Sequence, residues 1–99
     1  MERSELKKEM LFPVLEGLLW EHFSNVIDLD TLIEKSITPL IGEITEEEWW
    51  KISKISGEAE REVMSVECDE DGATTEQNAE MDKIVHNCMC DIFDILIKY

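Results

Sequence analysis

Basic residues are scarce in this sequence. Nine Lys and Arg stand against 24 Asp and Glu, for a formal net charge of −15. A chain so negative repels phosphate backbones and anionic lipid headgroups, which disfavours direct binding to DNA, RNA or a membrane. Cysteine is scarce as well, and odd in number: Cys68, Cys88 and Cys90. Cys88 and Cys90 stand two positions apart in what reads as a helix, so they point to nearly opposite sides and cannot bridge each other. No disulfide framework results, and the expected compartment is reducing and cytoplasmic. The four glycines are scattered singly, so no glycine-rich loop cradles a phosphate. No apolar run is long enough to span a bilayer. Met10 to Trp20 has the outline of a signal-peptide core, but Glu16 interrupts it and no small-residue cleavage site follows, so secretion is not expected.

Strand-like alternation is also missing, and what remains is helical periodicity. From Thr74 to Tyr99 the residues Met81, Val85, Cys88, Ile92, Ile95 and Tyr99 recur at alternating steps of four and three, and Ile84, Met89, Phe93, Leu96 and Ile97 widen the stripe. The apolar arc spans about 220° at ~100° per residue. A surface helix needs about half that width. This helix therefore sits at the centre of a bundle or pairs with another chain. Ser4 is placed to cap a first helix, which Pro13 should kink or break. Within it, Leu6, Met10, Val14, Gly17 and Leu18 line one side, and Leu11, Leu15, Leu19, His22 and Val26 an adjacent one. Asp28 or Asp30 caps a second helix carrying Leu29, Leu32, Ile33, Ser36, Ile37, Leu40, Ile41 and Ile44. Pro39 inside that pattern implies a kink, or two short helices joined at Thr38. Thr45-Glu46-Glu47-Glu48 is a capping box that starts a third long helix, in which Gly57 weakens the middle unless a close helix crossing uses it. Ninety-nine residues hold one domain. The expected fold is all-α: a small four-helix bundle with kinked first and second helices and a long, broadly apolar C-terminal helix.

The acidic stretch Glu67 to Ala73 lies between the last two helices. Aligning Gly72 with the invariant glycine of a helix–loop–helix calcium site puts Glu67, Asp69 and Asp71 at the first ligand positions. The pattern departs at Glu67, where Asp is usual, at Thr74, where an apolar residue is usual, and at Asn78, where the closing Glu should stand. A solvated acidic turn is the plainer reading, with a degenerate calcium-binding helix pair as its alternative. His86, Cys88 and Cys90 suggest metal ligands, yet Cys88 turns toward the apolar stripe and leaves only the His86–Cys90 pair on one face. Neither histidine belongs to a nucleophile motif. No metal, cofactor or enzymatic activity is expected.

Acid and tryptophan are abundant in one place. Glu46, Glu47, Glu48, Glu58, Glu60, Glu62, Glu67, Asp69, Glu70 and Asp71 stud one helix and the loop after it, and residues 43–99 carry 16 acids against 5 bases. Helix neighbours three and four apart lie about 5–6 Å from one another, a spacing comparable to that of phosphates along one DNA strand. Trp49 and Trp50 differ by ~100° around that helix, so both can hardly bury, and Trp is enriched in interface hot spots. The bland alternatives are a surface that merely keeps the protein soluble and a Trp50 half-covered by a neighbouring helix. In bulk character the chain resembles the small, acidic, all-helical proteins that phages make to block host enzymes, a resemblance that covers no motif and transfers no residue. The leading expectation is a non-enzymatic interaction protein that binds a basic surface of a partner protein and so inhibits or regulates it, with nucleic-acid mimicry as one way in which it could do so. A nucleic-acid-binding enzyme is the expected class of partner. The expected contact residues are Glu46, Glu47, Glu48, Trp50, Glu58, Glu62, Glu67, Asp69, Glu70 and Asp71. The second expectation is a helical adaptor or assembly subunit docking through its last helix, with a homodimer interface at Cys88, Ile92, Phe93, Ile95 and Leu96.

Overall fold

The computed structural model describes residues 2–66 and 75–97. Among the described residues a 3-10 turn (Arg3–Glu5) precedes five helices: α1 (Lys8–Phe23), α2 (Leu29–Ser36), α3 (Thr38–Ile41), α4 (Glu46–Ser65) and α5 (Thr75–Ile97). No strand forms among the described residues. The architecture is an all-α bundle, and α5 packs against both α1 and α4 while α2 packs against α1.

The ends of the helices follow from local chemistry. The Asp28 carboxylate accepts from the Thr31 backbone N–H at 2.8 Å, capping α2, and that bond holds the carboxyl below its ordinary range. Thr45 and Glu48 complete the capping box of α4 in both directions: Glu48 N–H donates to the Thr45 hydroxyl at 3.2 Å, and Thr45 N–H donates to the Glu48 carboxylate at 2.8 Å. Pro39 divides the second expected helix into α2 and α3 at Ile37, because Pro lacks the donor that would continue the ladder. Gly42 ends α3 at φ +85°, a backbone conformation that glycine adopts without strain. At Pro13 the outcome differs from a break, since α1 runs through it as one helix with the proline ring exposed. Ser4 does not cap α1. It lies in the 3-10 turn, and α1 begins at Lys8 after an extended Lys7 with no side-chain cap.

The core is one cluster. Leu11, Leu15 and Leu19 of α1, Leu32 of α2, Ile52 of α4, and Ile92 and Leu96 of α5 are fully buried in it. Each such side chain contributes about 1.5–3 kcal/mol relative to its exposed state. Of the two apolar sides of α1, the one with Leu11, Leu15 and Leu19 is covered, and Phe23 extends it. Met10 and Val14 on the other side stay exposed because α2 and α5 pack on the first. The broad stripe of α5 is wide because two neighbours use it: Val85, Cys88, Met89, Ile92, Phe93 and Leu96 are all buried, while Lys83, Asn87, Asp91 and Asp94 face water.

Gly57 has no crossing helix against it. A Cβ built there meets nothing within 4 Å, and the same holds at Gly17 in α1. Both glycines therefore weaken their helices with no packing in return. Gly57→Ala is expected to raise unfolding free energy by about 1 kcal/mol. The midpoint of thermal unfolding followed by circular dichroism should rise by about 4–8 °C.

Candidate interaction surface

The capping box determines where the acids of α4 point. Glu48 turns inward to serve it and is fully buried, where the Arg3 guanidinium meets its carboxylate in a two-pronged ion pair, one prong at 2.8 Å. Arg3 also donates to the Leu96 carbonyl at 3.4 Å, so the N-terminal turn ties the start of α4 to the end of α5. The Arg3 hydrogen bond, supported by the Thr45 backbone N–H, holds the Glu48 carboxyl below the usual glutamate range against the opposing effect of burial. Glu48 is thus a structural carboxylate, and it drops out of the partner-facing set on grounds of burial.

Glu46 and Glu47 remain exposed on the first turn, with Glu47 in an i,i+4 pair with Lys51 at 3.2 Å. Trp50 beside them is 61% exposed, more open than the alternative of a half-covered indole would have it. Its neighbour Trp49 packs against the core, donates its indole N–H to Asp30 at 2.7 Å, and meets the Trp50 ring edge-on at 4.9 Å. The exposed indole is therefore backed by one that is anchored.

Further along, α4 and α5 enclose a groove of about 190 Å³ whose lining includes Glu58 and Glu62 from α4 and Asn87 and Asp91 from α5. No cationic side chain lines it, and none of its three carboxylates is in an ion pair among the described residues. Their field reaches the floor. The Cys88 thiol is pushed up to about 12, mainly by burial and then by the charges of Asp91 and Glu62. Asp91 was not among the expected contacts, because its meeting with Glu58 and Glu62 depends on how α4 docks on α5. The only hint in the sequence is its place on the polar strip of the last helix.

The remaining expected residues fall elsewhere. Glu67, Asp69, Glu70 and Asp71, and with them the calcium-loop alignment, lie outside the described residues. Cys88, Ile92, Phe93 and Leu96, expected at a dimer interface, are buried in the chain's own core, and Ile95 is half-buried. Docking another chain on that stripe would require unpacking α1 or α4. His86 Nε2 lies 3.6 Å from Cys90 Sγ, while Cys88 faces the core. Among the described residues no three His, Cys, Asp or Glu side chains converge as metal ligands, and no helix is long and apolar enough to cross a membrane. The chain matches no protein family, no curated protein and no solved structure.

Proposed function

We propose that this protein is a non-enzymatic, acidic interaction module that occupies a basic surface of a partner protein and so inhibits or regulates it. The observation that supports this most is the α4–α5 groove, where Glu58, Glu62 and Asp91 gather with no base among the lining residues. Uncompensated carboxylates held on two packed helices are preorganised for lysine or arginine side chains and lose little conformational entropy on binding. Exposed Trp50, next to Glu46 and Glu47, adds an aromatic anchor on the same helix. Glu46 and Glu62 are separated by about 24 Å along α4 at 1.5 Å per residue. That length suits an extended basic patch, such as the one a nucleic-acid-binding enzyme presents to a phosphate backbone, better than a single site.

A pulldown from lysate at rising salt, followed by titration of the captured partner, tests this. Binding should weaken steadily with ionic strength. Glu58→Lys/Glu62→Lys should reduce affinity at least about tenfold, chiefly through slower association, while leaving helicity unchanged because both side chains are exposed. Partner binding that ignores both salt and charge reversal would rule the mechanism out. Glu48 is unsuitable for such a reversal, since its substitution would report folding instead.

A further inference from the structure

The surface of α1 that faces away from the core carries a second regular pattern. Along α1 and its N-cap, Lys7, Met10, Val14, Gly17 and Glu21 recur at steps of three and four, and all five are exposed. At ~100° per residue they fall within an arc of about 80°, the narrow seam with which one helix packs on another in a coiled coil. Met10 is 39% and Val14 45% exposed, and the space that a Cβ would fill at Gly17 is open. Half-buried Leu18 borders the seam. Its two ends carry opposite charges, and neither Lys7 nor Glu21 is in an ion pair among the described residues. Lys8 turns away from it to α5, where its Nζ lies 3.9 Å from Cys90 Sγ and 5.7 Å from the centre of the Phe93 ring.

We propose that this seam is the interface of an antiparallel homodimer, closed by a two-fold axis at Val14. A surface pairs with a copy of itself across such an axis only when it is self-complementary. Lys7 and Glu21 stand at equal distances on either side of Val14 in the chain. An antiparallel copy therefore sets Lys7 against the partner's Glu21 and Glu21 against the partner's Lys7, whereas a parallel copy would set like against like. The same register lays Met10 over the partner's Gly17, a large side chain opposite the position that has none. Val14 meets the partner's Val14 on the axis. The charge distribution permits the approach. Residues 1–42 hold 8 of the 24 acids and 4 of the 9 bases, so the copies meet through the less acidic part of the chain. Repulsion between the rest is screened beyond ~8 Å at physiological salt. From Lys7 to Glu21 the seam runs about 21 Å at 1.5 Å per residue. One pair of helices of that length covers less than the ~1,200 Å² of a stable complex, so the dimer is weak, with a dissociation constant on the order of 0.1 mM. The seam shares no residue with the α4–α5 groove, and the dimer stands independently of partner binding there.

Sedimentation velocity of the full chain tests this, in reductant and at concentrations from about 10 µM to about 1 mM. The average mass should rise with concentration from that of one chain toward that of two. Val14→Glu puts like charges on the axis at an exposed position and should leave a monomer throughout, with helicity unchanged. Lys7→Glu and Glu21→Lys should each weaken association about tenfold, because each turns both ion pairs into like-charge pairs. The charge swap Lys7→Glu/Glu21→Lys should bring association back to within about threefold of the parent chain, a recovery that only the antiparallel register produces. Glu58→Lys/Glu62→Lys should leave the dimer in place, so that failure of the groove reading and failure of the dimer are told apart. Three results would overturn the proposal: a monomer even at about 1 mM, as when the seam serves a different protein, a dimer that survives Val14→Glu, or a charge swap without recovery.

Discussion

A chain carrying Arg3→Met is expected to lose about 3–5 kcal/mol of unfolding free energy, a large share of the roughly 5–15 kcal/mol that a small domain possesses. The substitution removes the cation and leaves the Glu48 carboxylate buried, with the Thr45 N–H as its remaining hydrogen-bond donor from the capping box. It also cuts the tie from the N-terminal turn to the Leu96 carbonyl. Thermal unfolding should begin at least about 12 °C lower. Adding Glu48→Gln should recover part of the loss. Glutamine can still return the capping-box bond to Thr45, and no buried charge then remains. If Arg3→Met melted with the parent chain, the ion pair would have no role in stability; if the single and double variants melted alike, the unpaired Glu48 charge would not be the source of the loss.

The same pair makes stability depend on pH in a definite direction. The Glu48 carboxyl is held below its ordinary value of 4.5 in the folded chain. Its contribution is present above that value and is lost as pH falls through the lower, folded one. Other carboxylates act oppositely, since protonating them relieves repulsion in a chain of −15. The Glu48 contribution is therefore read as a difference. The stability gap between the parent chain and Glu48→Gln should narrow as pH falls below about 4.5, measured by urea unfolding across pH.

Truncation in the stripe of α5 should be nearly as severe. Leu96→Ala and Ile92→Ala each remove a fully buried side chain from the centre of the cluster, at an expected 2–5 kcal/mol, roughly, including the cavity left behind. Half-buried Ile95 and exposed Ile97, on the same helix, should lose much less on the same change. Urea unfolding of the four variants distinguishes an internal core from a docking face. A loss under 1 kcal/mol at Leu96, or four similar losses, would mean that the stripe is not packed as described. Polar substitutions at Ile92 or Leu96 would therefore report unfolding rather than partner loss.

Much of this molecule was legible without coordinates. The steps of four and three in α5, the Thr45–Glu48 capping box, the Asp28 cap and the division at Pro39 are local features, governed by helix geometry and the hydrogen-bond needs of helix ends. They stand in the structure where the residues put them. Ser4 misled, because a capping residue has no helix to cap when the chain turns and restarts at Lys8. At Pro13 the residues left a kink and a break both open, and α1 continues through the proline as one helix because tertiary packing holds it there. Which side of α1 would be buried was also open, because two apolar sides competed and only the positions of α2 and α5 chose between them.

The sequence by itself determined that the chain is helical, strongly acidic and organised around an oily C-terminal helix, since periodicity and charge are properties of neighbours along the chain. Tertiary structure alone decided what individual charged and reactive groups became. Arg3 and Glu48 lie 45 positions apart, and Lys8 and Cys90 lie 82 apart. Nothing local reveals that one carboxylate in a run of three is buried on a guanidinium, that Glu58 and Glu62 look across a groove at Asp91, or that one of two nearby thiols faces a lysine and a histidine. Such pairings are set when helices dock, because packing fixes which faces meet and at what register.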